Sequence, residues 1–326
     1  MTEKRKDLPP IDSPTPHQSK ETKNWNDLPW EMKEMVIKEM DITTRTRFKL
    51  CSKSDKYLAE TTKLFLKNVE ANMGCSLCDI CFIIDDVKVE LKEGMRELNI
   101  IRNGETRTIT LENRQKADEW VYKYFESIVF NGKVHVENFK INRLMYPIIS
   151  FKSEPQIKVT KLEVEYLDRY DCYKWFQHFA PCVKKLLLSY SQCFFRLYPF
   201  VGAAKSLRVL SCELELDDIP YFNATNIKIT GAETERDFFR ILMKKWIDED
   251  YPIGSKIICD RSHSPYRFNP PSLEELFGDF ETIKKTVGRI DDMFTMEYVI
   301  EMKPKKYLIF CEDAINFLGY ITGKMP

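Results

Sequence analysis

The sequence predicts an α+β / α/β protein: three short helices at the N-terminus, then a degenerate array of strand–helix units. Three observations carry this. Between Asn24 and Leu66, apolar residues recur at three- and four-residue spacing, interrupted twice by polar breaks. From Gly74 onward, short runs alternate apolar and polar residues, the period of a strand with one buried face. From Lys161, strand-like runs return at similar intervals with helical stretches between them.

Taken in order, residues 1–23 hold four prolines and little apolar surface, so this tail is expected to stay disordered. Ser13-Pro14 and Thr15-Pro16 within it read as solvated linker in preference to phosphorylation sites. Residues 24–66 form the helical module. Pro29 suits the first turn of a helix, where a missing N–H costs nothing, and Glu31 and Glu34 complement the dipole there. Met32, Met35, Val36 and Met40 give that helix an apolar face. Asp41-Ile42-Thr43 breaks the pattern, and Thr43 or Thr44 caps a second helix through Leu50. Ser54 caps a third, with Tyr57, Leu58, Thr61 and Phe65 on one face.

Residues 67–326 read as one α/β region. Val87 to Leu91 and Arg107 to Leu111 alternate as strands, and Gln115 to Val129 as an amphipathic helix with Trp120, Tyr124, Phe125 and Ile128 inward. Further strands are expected at 133–136, 161–166, 185–190, 206–210, 226–230 and 256–259, and helices at Asp171 to Phe179 and Glu235 to Asp250. The starts from Lys161 to Asn226 are 24, 21 and 20 residues apart, within the range of leucine-rich repeats, and the next interval widens to 30. Such units hide their apolar faces only by stacking, which makes a leucine-rich-repeat-like βα array with a parallel sheet the expected architecture. There is no asparagine ladder, and a compact α/β domain is the alternative. Thr295 to Met302 and Lys306 to Cys311 form a final strand pair able to cover a sheet edge.

The 326 residues are 43% hydrophobic and 31% charged, ordinary for a globular chain able to bury a core. Fifty basic residues balance fifty acidic ones, which gives no electrostatic reason for a nucleic acid or an anionic membrane as the main partner. No apolar run approaches the ~20 residues of a membrane span. The N-terminal MTEKRKDLPP lacks the apolar core of a secretory signal. The expected setting is intracellular, cytoplasm and/or nucleus, so Asn223-Ala224-Thr225 is incidental as a glycosylation pattern. In that setting the ten cysteines are expected to be thiols, mostly in the core, as beside the apolar neighbours of Cys193, Cys259 and Cys311.

The order Leu28-Pro29, Glu31, Val36, Met40, then a polar break, then Thr44-Arg45, Phe48, Cys51-Ser52-Lys53-Ser54-Asp55 and Leu58 resembles the F-box of the large nematode F-box families. The resemblance spans Trp25 to Lys63 closely, and residues 75–326 are similar to the FTH or F-box-associated domains of those families only in length and texture. It implies a substrate receptor that docks on a Skp-type adaptor of a cullin–RING ubiquitin ligase and performs no chemistry itself. Leu28 and Pro29 would sit at the adaptor interface. Met32, Val36, Ile37 and Met40 would be divided between adaptor and internal core. Phe48, Cys51 and Leu58 would pack the helices together or touch the adaptor. Methionine departs here from the leucine and isoleucine common in F-boxes, a change that conserves volume. An ordinary three-helix cap on the α/β region is the alternative.

Cys75, Cys78 and Cys81 have zinc-ligand spacing, but no fourth ligand lies near and their neighbours are apolar, so they read as core thiols and no metal or cofactor is expected. Gly319 to Lys324 misses the phosphate-loop pattern: its glycines are one residue too close and no Ser or Thr follows the lysine. The chain has no GxSxG, HExxH or GxGxxG, and none of its four histidines (His17, His135, His178, His263) sits in a catalytic pattern. The short basic runs Lys4 to Lys6 and Lys303 to Lys306 are solvated surface. Tyr166, Tyr170, Tyr173, Trp175 and Tyr190 cluster near the repeat strands and suit either core packing or protein recognition. An adaptor-binding scaffold without ligase output, or an enzyme of unrecognised type, are the competing functional readings.

Overall fold

The computed structural model describes residues 24–73, 80–92, 96–129, 133–144, 157–165, 179–189, 200–234, 237–260, 284–290, 293–312 and 316–324. The N-terminal tail, Cys75 and Cys78, the tyrosine-rich cluster, His178, His263 and residues 171–178 of the helix expected from Asp171 to Phe179 lie outside them, and Phe179 itself forms an isolated parallel bridge with Ile157. The chain divides after Thr62 into two compact units.

The first unit holds a 3-10 turn at Trp25–Asp27 and three helices, α1 (Trp30–Glu39), α2 (Ile42–Phe48) and α3 (Lys53–Thr61). Their starts differ from the expected ones by a residue or two. Pro29 is the N-cap of α1 and makes no side-chain cap bond. Asp41 caps α2, accepting from the Thr44 N–H at 2.7 Å and its hydroxyl at 3.0 Å, in place of Thr43 or Thr44. Ser52 caps α3 by accepting from the Asp55 N–H at 3.0 Å, in place of Ser54. In each case the residue nearest the break satisfies the free N–H groups first.

The second unit begins with a strand the sequence reading missed, β1 (Leu64–Met73). Leu64 and Leu66 point inward while Phe65 and Lys67 are exposed, a two-residue period that rules out the α3 face on which Phe65 was expected. Next come β2 (Ile80–Ile84), β3 (Val87–Leu91), β4 (Glu97–Arg102), β5 (Glu105–Thr110) and α4 (Arg114–Val129). These are followed by β6 (Val134–Leu144), β7 (Lys158–Glu165), β8 (Lys185–Ser189), β9 (Ser206–Leu210) and the short β10 (Glu213–Leu214). A 3-10 stretch at Leu216–Tyr221 precedes β11 (Asn226–Thr230), β12 (Glu233–Thr234), α5 (Phe238–Asp248) and β13 (Lys256–Asp260). The chain closes with β14 (Lys284–Ile290), β15 (Met293–Lys303), β16 (Lys306–Glu312) and β17 (Asn316–Thr322).

Fifteen of these strands make one mixed sheet, in the order β14-β15-β16-β17-β13-β11-β9-β8-β7-β6-β1-β2-β3-β4-β5, and β10 pairs with β12 separately. Its middle is parallel: β1, β6, β7, β8, β9, β11 and β13 all run the same way. From β6 to β13, each main strand is laid beside the previous one in chain order. Antiparallel meanders flank this middle, β2 to β5 beside β1 and β17 to β14 beside β13. The C-terminal strand pair therefore does extend the sheet past β13, with β17 between them.

One face of the parallel strands is apolar and buried: Val136 and Phe139, Val159 and Leu162, Leu186 and Leu188, Leu207 and Val209, Ile227 and Ile229. Phe82, Phe125 of α4, Phe139, Phe179 and Phe200 run beneath it with successive ring centroids 5.2, 6.4, 5.5 and 5.9 Å apart. In α4, Trp120 and Tyr124 are only half-buried and stack on each other at 5.1 Å; Val121 and Phe125 take the core side. α5 buries Phe238, Phe239, Leu242, Met243 and Trp246. The other face of the parallel strands carries Lys185, Ser206, Arg208, Asn226, Lys228 and Lys256, exposed or half-buried, while Ser189 and Thr230 at its far end are buried.

The phosphate-loop-like Gly319 to Lys324 run is largely strand. A Cβ on Gly319 would lie 2.7 Å from the Phe310 ring and 2.9 Å from Ile257, so this glycine lets β17 lie close over the core. Among the described cysteines, Cys212 and Cys259 are buried and Cys81 and Cys311 half-buried, but Cys51 and Cys182 are exposed. The expectation of mostly core thiols therefore fails at those two positions. Each sits outside the regular elements, at a turn or loop, where the chain stays in contact with solvent.

Candidate docking site

The helical unit is held together by two residues whose importance the sequence reading did not mark. Trp25 donates its indole N–H to Asp55 of α3 at 3.0 Å and meets Phe48 of α2 edge-on at 5.2 Å, tying the leading turn to both helices. Asn24 and Asp27 cap that turn reciprocally. Arg45 is 4% exposed and donates to the carbonyls of Ala59, at 2.6 and 3.2 Å, and of Thr62. Those carbonyls belong to the C-terminal end of α3, where no backbone donor remains and a cation is favoured. Burial lowers the Arg45 pKa from its ordinary value, yet a guanidinium keeps its proton through any physiological pH. An arginine at a core-spaced position after Ile42 was the available signal.

The nine residues named from the sequence divide sharply. Ile37 and Leu58 are 0% and 2% exposed, so they fall to the internal core and cannot meet a partner surface. Leu28, Met40 and Phe48 are half-buried, and Pro29, Met32, Val36 and Cys51 are exposed. Cys51 turns its thiol back toward the Arg47 carbonyl at 3.7 Å.

What remains outside is unusually apolar. Met35 is 65% exposed, Met32 and Val36 about half, and the three share an arc of roughly 100° on α1, away from Ile37. Trp30, at the head of the same helix, lies 6.3 Å from Tyr57 of α3, and both are exposed. Leu50, between α2 and α3, is exposed as well. Among the described residues, nine large apolar side chains are exposed, and six of them belong to this small unit. Trp30, Met35, Leu50 and Tyr57 were not singled out by the sequence. Scattered exposed apolar residues are normal, but an apolar face such as that of Met32, Met35 and Val36, with a polar rim, suits an interaction surface. The rim is present here, in the Glu34–Lys38 ion pair at 3.2 Å and the exposed Glu31 and Glu39.

Nothing described elsewhere resembles a reaction centre. His135, half-buried in β6, shares a hydrogen bond with Thr160 at 2.9 Å and packs edge-on against Phe65. Among the described residues, no group of three His, Cys, Asp or Glu side chains could hold a metal ion. Cys81 is a half-buried strand residue of β2. No helix of the described residues is long and apolar enough to cross a membrane.

Comparison with known proteins gives one match. Residues 25–67 match the family model described as the F-box domain. No curated protein and no solved structure matches the chain. The matched segment takes in all three helices and ends within β1, and it contains every member of the exposed apolar cluster.

Proposed function

We propose that this chain is a substrate-receptor subunit of a Skp–cullin–F-box ubiquitin ligase. F-box domains bind Skp-type adaptors in cullin–RING ligases, and the observation that carries the reading onto this chain is the apolar cluster of its F-box segment. Met32, Met35 and Val36 form the adaptor-facing patch of α1, the Trp30–Tyr57 pair and Leu50 are further exposed apolar points of the same unit, and Leu28 and Pro29 precede the helix. A three-helix unit serving only as a structural cap has no use for such side chains in solvent.

Residues 63–326 are the part that chooses the target. The chain-ordered parallel strands support a degenerate leucine-rich-repeat-like reading of this region, and its length and texture support an FTH-like domain of the nematode-type F-box families. The setting is intracellular, cytoplasm and/or nucleus. Catalysis is by proximity alone: the receptor holds a target lysine near a charged ubiquitin-conjugating enzyme, so a bimolecular encounter becomes effectively intramolecular. No residue of this chain acts as a catalyst.

The test is reconstituted transfer with adaptor, cullin–RING core, conjugating enzyme and ubiquitin. The expected result is ubiquitin on exposed lysines of this chain, dependent on the cullin–RING core and on an intact F-box cluster. An assembled complex that supports no transfer would contradict ligase output and leave a scaffold.

A further inference from the structure

The polar face of the parallel strands changes character from one side to the other. On β6 and β7 two cations are neutralised within the sheet: Lys140 pairs with Glu165 at 3.6 Å and Lys161 with Glu163 at 3.5 Å, while Lys158 at the start of β7 is exposed. The next strands carry no acidic residue at all, since β8 reads KLLLS, β9 SLRVL and β11 NIKIT. Register places Leu187, Arg208, Lys228 and Ile258 in one row across β8, β9, β11 and β13. Lys185, Ser206, Asn226 and Lys256 form the row beside it. Lys185, Arg208 and Lys256 are exposed, and Lys228 is half-buried.

Arg208 and Lys228 are direct cross-strand partners, about 4.8 Å apart in the pairing direction. Like charges placed so destabilise a sheet. Among the described residues, none of Lys185, Arg208, Lys228 and Lys256 makes an ion pair or a side-chain hydrogen bond to relieve this. Four unpaired cations on strands β8 to β13 make a surface complementary to anions.

We infer that the outer face of β8, β9, β11 and β13 binds a short acidic peptide segment of a protein partner. This deepens the receptor reading above and rests on it for its biological role. Three features select a peptide over a nucleic acid. Leu187 and Ile258 bracket the cation pair in the same row and offer apolar contact that a phosphate backbone does not use. Glu163 and Glu165 on one side and Asp260 on the other bound the patch and would repel a long polyanion. The whole chain has no net charge, so no long-range field gathers nucleic acid. The patch spans four strands, roughly 15 Å, the reach of some five extended residues.

The test selects peptides from a random twelve-residue display library on the full-length chain, in parallel with its Arg208→Glu/Lys228→Glu variant. Wild type is expected to enrich acidic sequences containing apolar residues. The variant is expected to bind the winning peptide at least about tenfold more weakly and to enrich basic sequences instead. A single Lys228→Glu variant serves as a folding control, because opposing it to Arg208 relieves a repulsion. It is expected to raise the melting temperature by about 1–3 °C while losing peptide affinity. Selection without charge bias, the same selection by both proteins, or preference for a single-stranded oligonucleotide of equal charge would overturn the proposal. Adaptor capture is measured on the same preparations: acidic selection lost with adaptor binding kept overturns the patch alone, whereas adaptor binding lost in wild type overturns the receptor reading.

Discussion

Aspartate at both Met35 and Val36 is expected to abolish adaptor binding, with a loss of at least about 100-fold, and to leave the chain folded. Both side chains are about half exposed or more, so the new carboxylates stay in water in the free protein and cost little stability. In a complex the same positions must be desolvated against a partner, and an unpaired charge there is expensive. Ile37→Asp would be a poor substitute, because Ile37 is buried and its loss would unfold the unit. A change at Leu28 is less clean as well, because its side chain is half-buried. Ile241→Asp and Ile253→Asp, at exposed apolar positions of the second unit, are the matched controls and should bind adaptor normally. Titration calorimetry with a Skp-type adaptor, with circular dichroism of each variant, reads the result. Undiminished binding by the Met35/Val36 variant would remove this face from the interface.

The largest stability effect is expected from Arg45→Ala. The substitution leaves the Ala59 and Thr62 carbonyls buried without their donor and opens a cavity where the side chain lay. Buried hydrogen bonds from a charged donor are worth about 1.5–3 kcal/mol, and a unit of this size has little stability in reserve. The helices of residues 24–62 should melt, and adaptor binding should go with them, while the sheet of the second unit keeps its own unfolding transition. Arg45→Lys should recover only part of the loss, because one ammonium replaces a planar fork of donors. Hydrogen exchange resolved by segment separates the two units. Unchanged protection over Lys53–Thr61 in Arg45→Ala would show that the arginine is not the clasp of α3.

Much of this arrangement was legible in the sequence because periodicity reports burial. Runs such as Ser206 to Leu210 and Asn226 to Thr230 alternate cleanly, and the strands coincide with them. Helix starts were less legible, since Asp41, Thr43 and Thr44 are all competent caps and only local geometry picks Asp41. β1 was hidden because it follows α3 almost directly, and a helical face was carried past Thr62 into a strand. Within the helical unit, an apolar residue has one appearance in sequence and two fates. Ile37 and Val36 are adjacent and chemically alike, yet one is buried and the other faces solvent. Arg45 was overlooked for the opposite reason, because a charged residue is expected outside unless its partners are known. The unpaired cations of β8 to β13 depend on strand register, which no run of sequence displays by itself.

The most direct measurement is hydrogen exchange of the full-length chain with and without a saturating Skp-type adaptor. The account predicts new protection within residues 28–58, centred on α1 from Trp30 to Val36 and on the Leu50 to Tyr57 segment, with the parallel strands unchanged. Protection confined to the sheet, or no protection at a concentration where the adaptor saturates known F-box proteins, would contradict it.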